Sequence, residues 1–170
     1  MPRQRGEERL KFKNNTRHHV LLQFQTLRKA LIDASSIIYM QKAGFFTELA
    51  NTVNLYSPAE IVAETGFNDL DLRPVACASK SLSNDQKLIT AALQLRWPVI
   101  SEDRNILMHM RRVKLPYFNS LMMLNFLLFK NRIDLKSHAL YLKRLKQYAW
   151  YSPSVWEYGK TVYNAIADLS

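Results

Sequence analysis

Short apolar runs alternate with stretches of helical spacing through most of this chain. Ala30-Leu31-Ile32-Asp33 reads as a short apolar strand ending in an acid. From Ala34 to Met40 the pattern is that of a helix start with a serine cap, and Gly44 breaks it. Phe45, Phe46, Leu49 and Ala50 then recur at helical spacing. Val53 to Tyr56 is a second short strand. Ser57-Pro58 opens the next helix: proline suits a first turn, and Ser57 with Glu60 fits a Ser-x-x-Glu capping box. This helix carries Ile61, Val62 and Glu64 and ends at Gly66.

Residues 68–78 are irregular, and Val75 to Ala78 reads as either a short strand or an insertion. A helix capped by Ser83 or Asn84 runs to Leu95. Trp97 to Ser101 is a buried strand with Pro98 at its entrance and Asp103 just beyond its end. A helix from Asn105 to Arg112 leads to a last strand, Leu115 to Phe118. Helical patterns fill the remainder: Ser120 to Asn131, Leu135 to Trp150, and Ser154 to Ala167. Strands alternating with helices predict an α/β domain, its central parallel sheet of about four short strands covered on both faces. The 4 glycines form neither a dinucleotide fingerprint nor a phosphate loop.

The chain ends differ from its middle. Residues 1–28 are a basic N-terminal arm carrying Arg3, Arg5, Arg9, Lys11, Lys13 and Arg17, with a short helix from Val20 to Leu27. His18 and His19 are neighbours that do not share a helix face, so they read as surface residues. The α/β domain spans 29–131, and 132–170 is a helical C-terminal extension packed on it. Cys77 is the lone cysteine, which excludes an internal disulfide and a Cys-based zinc site and fits a cytoplasmic protein. The longest apolar run, Leu121 to Phe129, is too short for a membrane span and is followed by Lys130. It is instead a plausible homodimer face. The basic N-terminus lacks an apolar core and a cleavage site, so no secretory signal is expected.

Charge adds a division of labour. The net charge is +10, yet residues 32–103 carry nine acids against five Lys or Arg. Basic flanks suit a polyanion such as RNA, and an acidic middle suits a metal ion with oxygen ligands. Ligands of open parallel sheets bind beyond the C-terminal strand ends. Asp33 and Asp103 lie at two such ends, Asp85 opens a helix aimed at the same edge, and Glu64 lies on the helix after the second strand. Crowded carboxylates resist ionisation unless a cation neutralises them. Mg²⁺ or Mn²⁺ bound there would activate water and stabilise a phosphodiester transition state. Arg104, Arg111, Arg112 and Lys114 follow this edge as candidate phosphate contacts. The tail interleaves Tyr141, Tyr148, Trp150, Tyr151, Trp156, Tyr158 and Tyr163 with Lys143, Arg144 and Lys146. Such a mixture binds single strands or packs as an ordinary helix, and Leu140, Leu142 and Leu145 favour packing or dimerisation.

These segments carry a family resemblance. Leu31-Ile32-Asp33-Ala34-Ser35-Ser36-Ile37-Ile38 resembles the opening apolar–apolar–Asp–x–Ser segment of PIN domains. Tyr39 to Leu49 resembles the helix that follows it in the PIN toxins of prokaryotic toxin–antitoxin operons. Tyr56 to Glu64 resembles their second strand, proline, and helix ending in a metal-site Glu. Ser83-Asn84-Asp85 through Leu95, then Val99 to Asp103, resembles the second half of the same fold. The resemblance covers about residues 30–130. It implies a PIN-like three-layer α/β/α fold and a Mg²⁺- or Mn²⁺-dependent endoribonuclease, with an antitoxin protein as a further partner. Asp33, Glu64, Asp85 and Asp103 match the four acids, and Ser35 and Ser101 match the hydroxyls beside them. Glu60 replaces Glu64 if the register slips by one turn, and Glu102 is a peripheral acid. The alternative is a catalytically silent PIN-like module that binds RNA or protein.

Overall fold

The computed structural model describes residues 18–77 and 81–169. Most of the expected basic arm, and Ala78 of the expected third strand, lie outside the described residues. The chain divides into two compact units, one of residues 27–150 and one of residues 1–26 with 151–170. This division falls elsewhere than the expected boundary at 132. The helix after that boundary stays with the α/β unit, and only the last helix joins the N-terminal segment.

The described chain opens with α1, over residues 18–26. The α/β unit follows as β1 (Lys29–Ile32), α2 (Ala34–Ala43), α3 (Phe46–Ala50), β2 (Asn54–Ser57), α4 (Ala59–Thr65) and β3 (Arg73–Pro74). It continues through α5 (Asn84–Leu95), β4 (Val99–Ile100), α6 (Arg104–Arg112), β5 (Tyr117–Phe118), α7 (Ser120–Phe129) and α8 (Leu135–Leu145). In the second unit α9 (Pro153–Ala167) starts with proline in its first turn, and Tyr151 meets Trp156 edge-on at 5.0 Å.

The five strands form one sheet in the order β3-β2-β1-β4-β5, and each neighbouring pair is parallel. The class is therefore α/β, as the alternation implied, with one strand more than expected. The extra strand is β3, paired to Tyr56 and Ser57 at the sheet edge, where a proline with no N–H to donate is tolerated. The Val75 N–H extends this ladder by bonding Ser57 O at 3.1 Å.

Register assigns the sheet faces. Leu31 pairs with Tyr56 and Val99, and Val99 pairs with Tyr117. All four pack in one cluster with Ile61, Leu88, Ala92, Ile106 and Met110, from α4, α5 and α6. Side chains alternate along a strand, so Ile32, Ile100 and Phe118 point to the other face, where all three are buried. Burial on both faces is compatible with a three-layer arrangement.

Helix α7 is buried at every position from Ser120 to Leu128. A helix that is apolar all round belongs inside. It therefore offers no exposed apolar face to a second copy, contrary to the homodimer expectation. Helix α8 ends at Leu145 rather than Trp150, and Trp150 is 94% exposed. The tail aromatics of this unit are packing residues: Tyr141 lies 5.8 Å from the Phe45 ring and donates to Glu48 Oε1 at 3.0 Å. No helix among the described residues is long and apolar enough to cross a membrane.

Buried His138 on α8 shares a 2.9 Å hydrogen bond with Asn125 Oδ1 on α7. Burial disfavours its charged form and pushes its pKa down to about 4. As pH falls from 6.5 toward 4 the unfolded chain takes up a proton here that the native chain refuses. Stability should drop across that window, by about 3 kcal/mol at the end of it. Denaturant unfolding of the wild type and of His138→Gln across this range checks this, because the variant should lack that part of the slope.

Candidate functional site

Strand order reverses between β1 and β4, the two strands that leave the sheet centre in opposite directions. That is the switch point at which open parallel sheets hold ligands. Asp33 follows β1 directly, and Ser101, Glu102 and Asp103 follow β4. An open cleft of about 300 Å³ lies there, lined by Asp33, Ser35, Glu64, Asn84, Asp85 and Asp103 among others. The four acids singled out by the sequence thus come from four separate elements to one cleft.

Asp33 is the deepest of them, only 7% exposed. It is itself the N-cap of α2, in place of the expected serine: its Oδ1 accepts from the Ser36 N–H at 2.8 Å and from Ser35 Oγ at 3.2 Å. Its Oδ2 accepts from Ser101 Oγ, and Ser101 is fully buried. The expected hydroxyl positions, Ser35 and Ser101, therefore hold the first acid from both sides. Burial pushes the Asp33 pKa up, and the hydrogen bonds from Ser101, Ser36 and Ser35 only partly offset it.

Ser101 also joins two acids, because its Oγ accepts from the Asp103 N–H at 3.0 Å. Asp103 caps α6, its Oδ1 accepting from the N–H groups of Asn105 at 2.6 Å and Ile106 at 3.1 Å. Asp85 lies in the first turn of α5, which is capped by Ser83 with Gln86 in a reciprocal capping box. Partial burial and then the negative charges of Asp103 and Glu64 push the Asp85 pKa up. Like charges therefore crowd Asp85, and among the described residues no Lys or Arg forms an ion pair with any of the four acids.

Glu64 lines the cleft from the last turn of α4 and accepts from Asn84 Nδ2. Glu60, the alternative, is engaged elsewhere: it pairs with Lys87 Nζ at 2.9 Å. The expected capping box is not formed. Pro58 is the N-cap of α4 with no side-chain cap bond, while Ser57, fully buried in β2, donates to Ile32 O at 2.9 Å. Glu60→Gln is expected to preserve activity and cost roughly 2 kcal/mol through the buried Lys87 amine. Glu64→Gln should do the reverse. Parallel cleavage and unfolding assays read both.

Two residues escaped the sequence reading as site residues. Asn84 resembles an alternative helix cap, but its amide reaches Glu64. Ser36 lies beside the cap, and its Oγ donates to Glu102 Oε1 at 2.9 Å. Glu102, expected to be peripheral, does not line the cleft. Its Oε1 also accepts from the Ser120 N–H at 2.8 Å and from Ser120 Oγ, fastening the start of α7.

The basic candidates separate. Arg104 is exposed at the start of α6, beside Asp103. Arg111, Arg112 and Lys114 are exposed too, but at the other end of this helix, about 10 Å or more along its axis. Because β5 runs parallel to β4, α6 returns to the opposite sheet edge before β5 begins. These three cations therefore do not border the acids, although they follow them in sequence.

All ligand atoms at the cleft are hard oxygens, a donor set suited to Mg²⁺ or Mn²⁺. Among the described residues no three His, Cys, Asp or Glu side chains are grouped closely enough to hold an ion as they stand. The acids share a cleft rather than a closed cage. Comparison with protein-family models, with curated proteins and with solved structures finds no match to this chain.

Proposed function

We propose that this protein is a PIN-like, metal-dependent endoribonuclease that hydrolyses RNA phosphodiester bonds in the cleft at the β1–β4 switch point. The supporting observation is that Asp33, Glu64, Asp85 and Asp103 line this cleft together. Asp33 and Asp103 would hold Mg²⁺ or Mn²⁺, with Asp85 and Glu64 completing the charge. Such an ion supplies an activated water and offsets charge on the phosphoryl oxygens.

The chain's own groups have separate tasks. Ser35, Ser36 and Ser101 fix the orientation of the Asp33 carboxylate. Ser101 sets the Asp103 backbone against Asp33. Asp85 has a pKa raised by its neighbours and takes up a proton more readily than an isolated carboxylate. Arg104, exposed next to Asp103, offers a guanidinium to a phosphate at the cleft mouth.

The test is cleavage of labelled RNA by the purified chain, with a matched DNA as competitor. Mn²⁺-dependent cleavage that EDTA stops is expected. RNA binding with no cleavage in any divalent ion would favour the silent binding module instead. Ser101→Ala should weaken Mn²⁺ binding by about 10- to 100-fold, since it releases both acids from their shared hydroxyl. Calorimetric titration of Mn²⁺ measures this.

A further inference from the structure

The edge of the sheet opposite the acid cleft gathers cations. Lys29 begins β1 and lies 4.4 Å over the Trp97 ring. Register takes the pattern further. Counting back three residues from the paired Leu31, Val99 and Tyr117 reaches Arg28, Arg96 and Lys114. Neighbouring strands lie about 4.8 Å apart, so this row of cations crosses three strand entrances within about 10 Å. Arg111 and Arg112, in the last turn of α6, return to the same edge. Arg96, Arg111, Arg112 and Lys114 are exposed, and among the described residues none of these four forms an ion pair.

Backbone conformation supplies a second observation. Arg96 and Lys114 are left-handed, with φ of 56° and 57°, at the C-terminal ends of α5 and α6. After α6 the Leu115 N–H bonds Met110 O at 3.0 Å and the Lys114 N–H bonds Arg111 O at 3.2 Å. That is the Schellman pattern, whose left-handed position favours Gly, or failing it Asn, because a Cβ is strained there. The same chain follows this preference at three other helix ends, with Gly44, Gly66 and Asn131. Only the two ends that adjoin β4 and β5 carry long cations instead. A cation near a helix C-terminus gains something from the helix dipole. That gain applies equally to α2, α4 and α7, which do without it at this position.

We infer that this edge, centred on Arg96, Arg111, Arg112 and Lys114, is a binding surface for the phosphate backbone of single-stranded RNA, separate from the acid cleft. Three of the four are arginines, whose planar fork matches phosphate oxygens. A row repeating at strand spacing suits a polyanion of regular charge, which a nucleic acid has along its whole length. The row lies about five residues of strand, or about 17 Å, from the acids. A strand held here is therefore engaged away from the bond at the cleft.

The experiment is fluorescence anisotropy of a labelled single-stranded RNA of roughly 20 nucleotides, titrated with the full chain in EDTA at several salt concentrations. The Arg96→Gly/Lys114→Gly and Arg111→Gln/Arg112→Gln variants are compared with wild type. Each pair should weaken binding by about tenfold and flatten the slope of log affinity against log salt by about 1. The glycine pair should do so with an unchanged or higher Tm, since it relieves two left-handed side chains. Wild-type affinity and slope in both pairs would overturn the proposal. So would equal binding of poly-glutamate of matched charge, which would assign the edge to an acidic protein partner. With no metal present, either failure leaves the cleavage reading at the cleft untouched.

Discussion

Replacing Asp33 by Asn is expected to abolish Mn²⁺-dependent RNA cleavage, a loss of about a thousandfold, while the protein stays folded. Both parts follow from where the side chain sits. An amide oxygen still accepts from the Ser36 N–H, and Asn is as good a helix cap as Asp. The lost charge is the one nearest the switch point. Burial raises the Asp33 pKa in the folded chain. The folded protein therefore keeps this proton to higher pH than the unfolded chain does. The carboxylate lowers stability as pH rises through the raised value, and the full cost is present above it. Asn removes that cost, so Tm at neutral pH should hold or rise. Cleavage kinetics with a thermal scan on the same preparation tests this, and wild-type turnover would refute the assigned role. Loss of activity together with loss of fold would mark Asp33 as structural.

Glu102→Ala should produce the largest change in stability, about 3 kcal/mol, or a fall of about 10 °C in Tm. One oxygen, Glu102 Oε1, accepts from Ser36 Oγ, Ser120 N–H and Ser120 Oγ. Ser36 and Ser120 are fully buried, so truncation strands donors that water cannot reach. It also unfastens the start of the buried helix α7 from the loop after β4. Glu102→Gln keeps an acceptor oxygen and should recover much of the loss. Denaturant midpoints of the two variants separate these outcomes. An unchanged midpoint for Glu102→Ala would mean that the three bonds hold nothing together.

The fold and the site differ in how far they can be read from residues alone. Asp33 and Asp103 are legible because each ends a short apolar run, and such runs become parallel strands whose ends meet. Asp85 is legible because a Ser-x-x-Gln start fixes the direction of its helix. Ser57 and Glu60 show the limit. Their local spacing fits a cap, yet Ile32 O takes the Ser57 hydroxyl and Lys87 takes the Glu60 carboxylate, from partners 25 and 27 residues away. Tertiary partners outweighed a local pattern that is worth about 1 kcal/mol. Strand β3 is two residues long and contains a proline, so periodicity has nothing to detect. Arg111, Arg112 and Lys114 mislead for a geometric reason: a helix of 9 residues carries its end to the far side of the sheet. Leu121 to Phe129 is equally apolar as a core helix or as an interface, and only the surrounding elements decide between them.

Crystals of the protein soaked in Mn²⁺, with anomalous scattering collected, test the metal assignment most directly. The expected result is an anomalous peak in the cleft, within coordinating distance of Asp33 and Asp103 and lost in Asp33→Asn crystals. A cleft without a peak, or a Mn²⁺ ion bound only away from these acids, would contradict it.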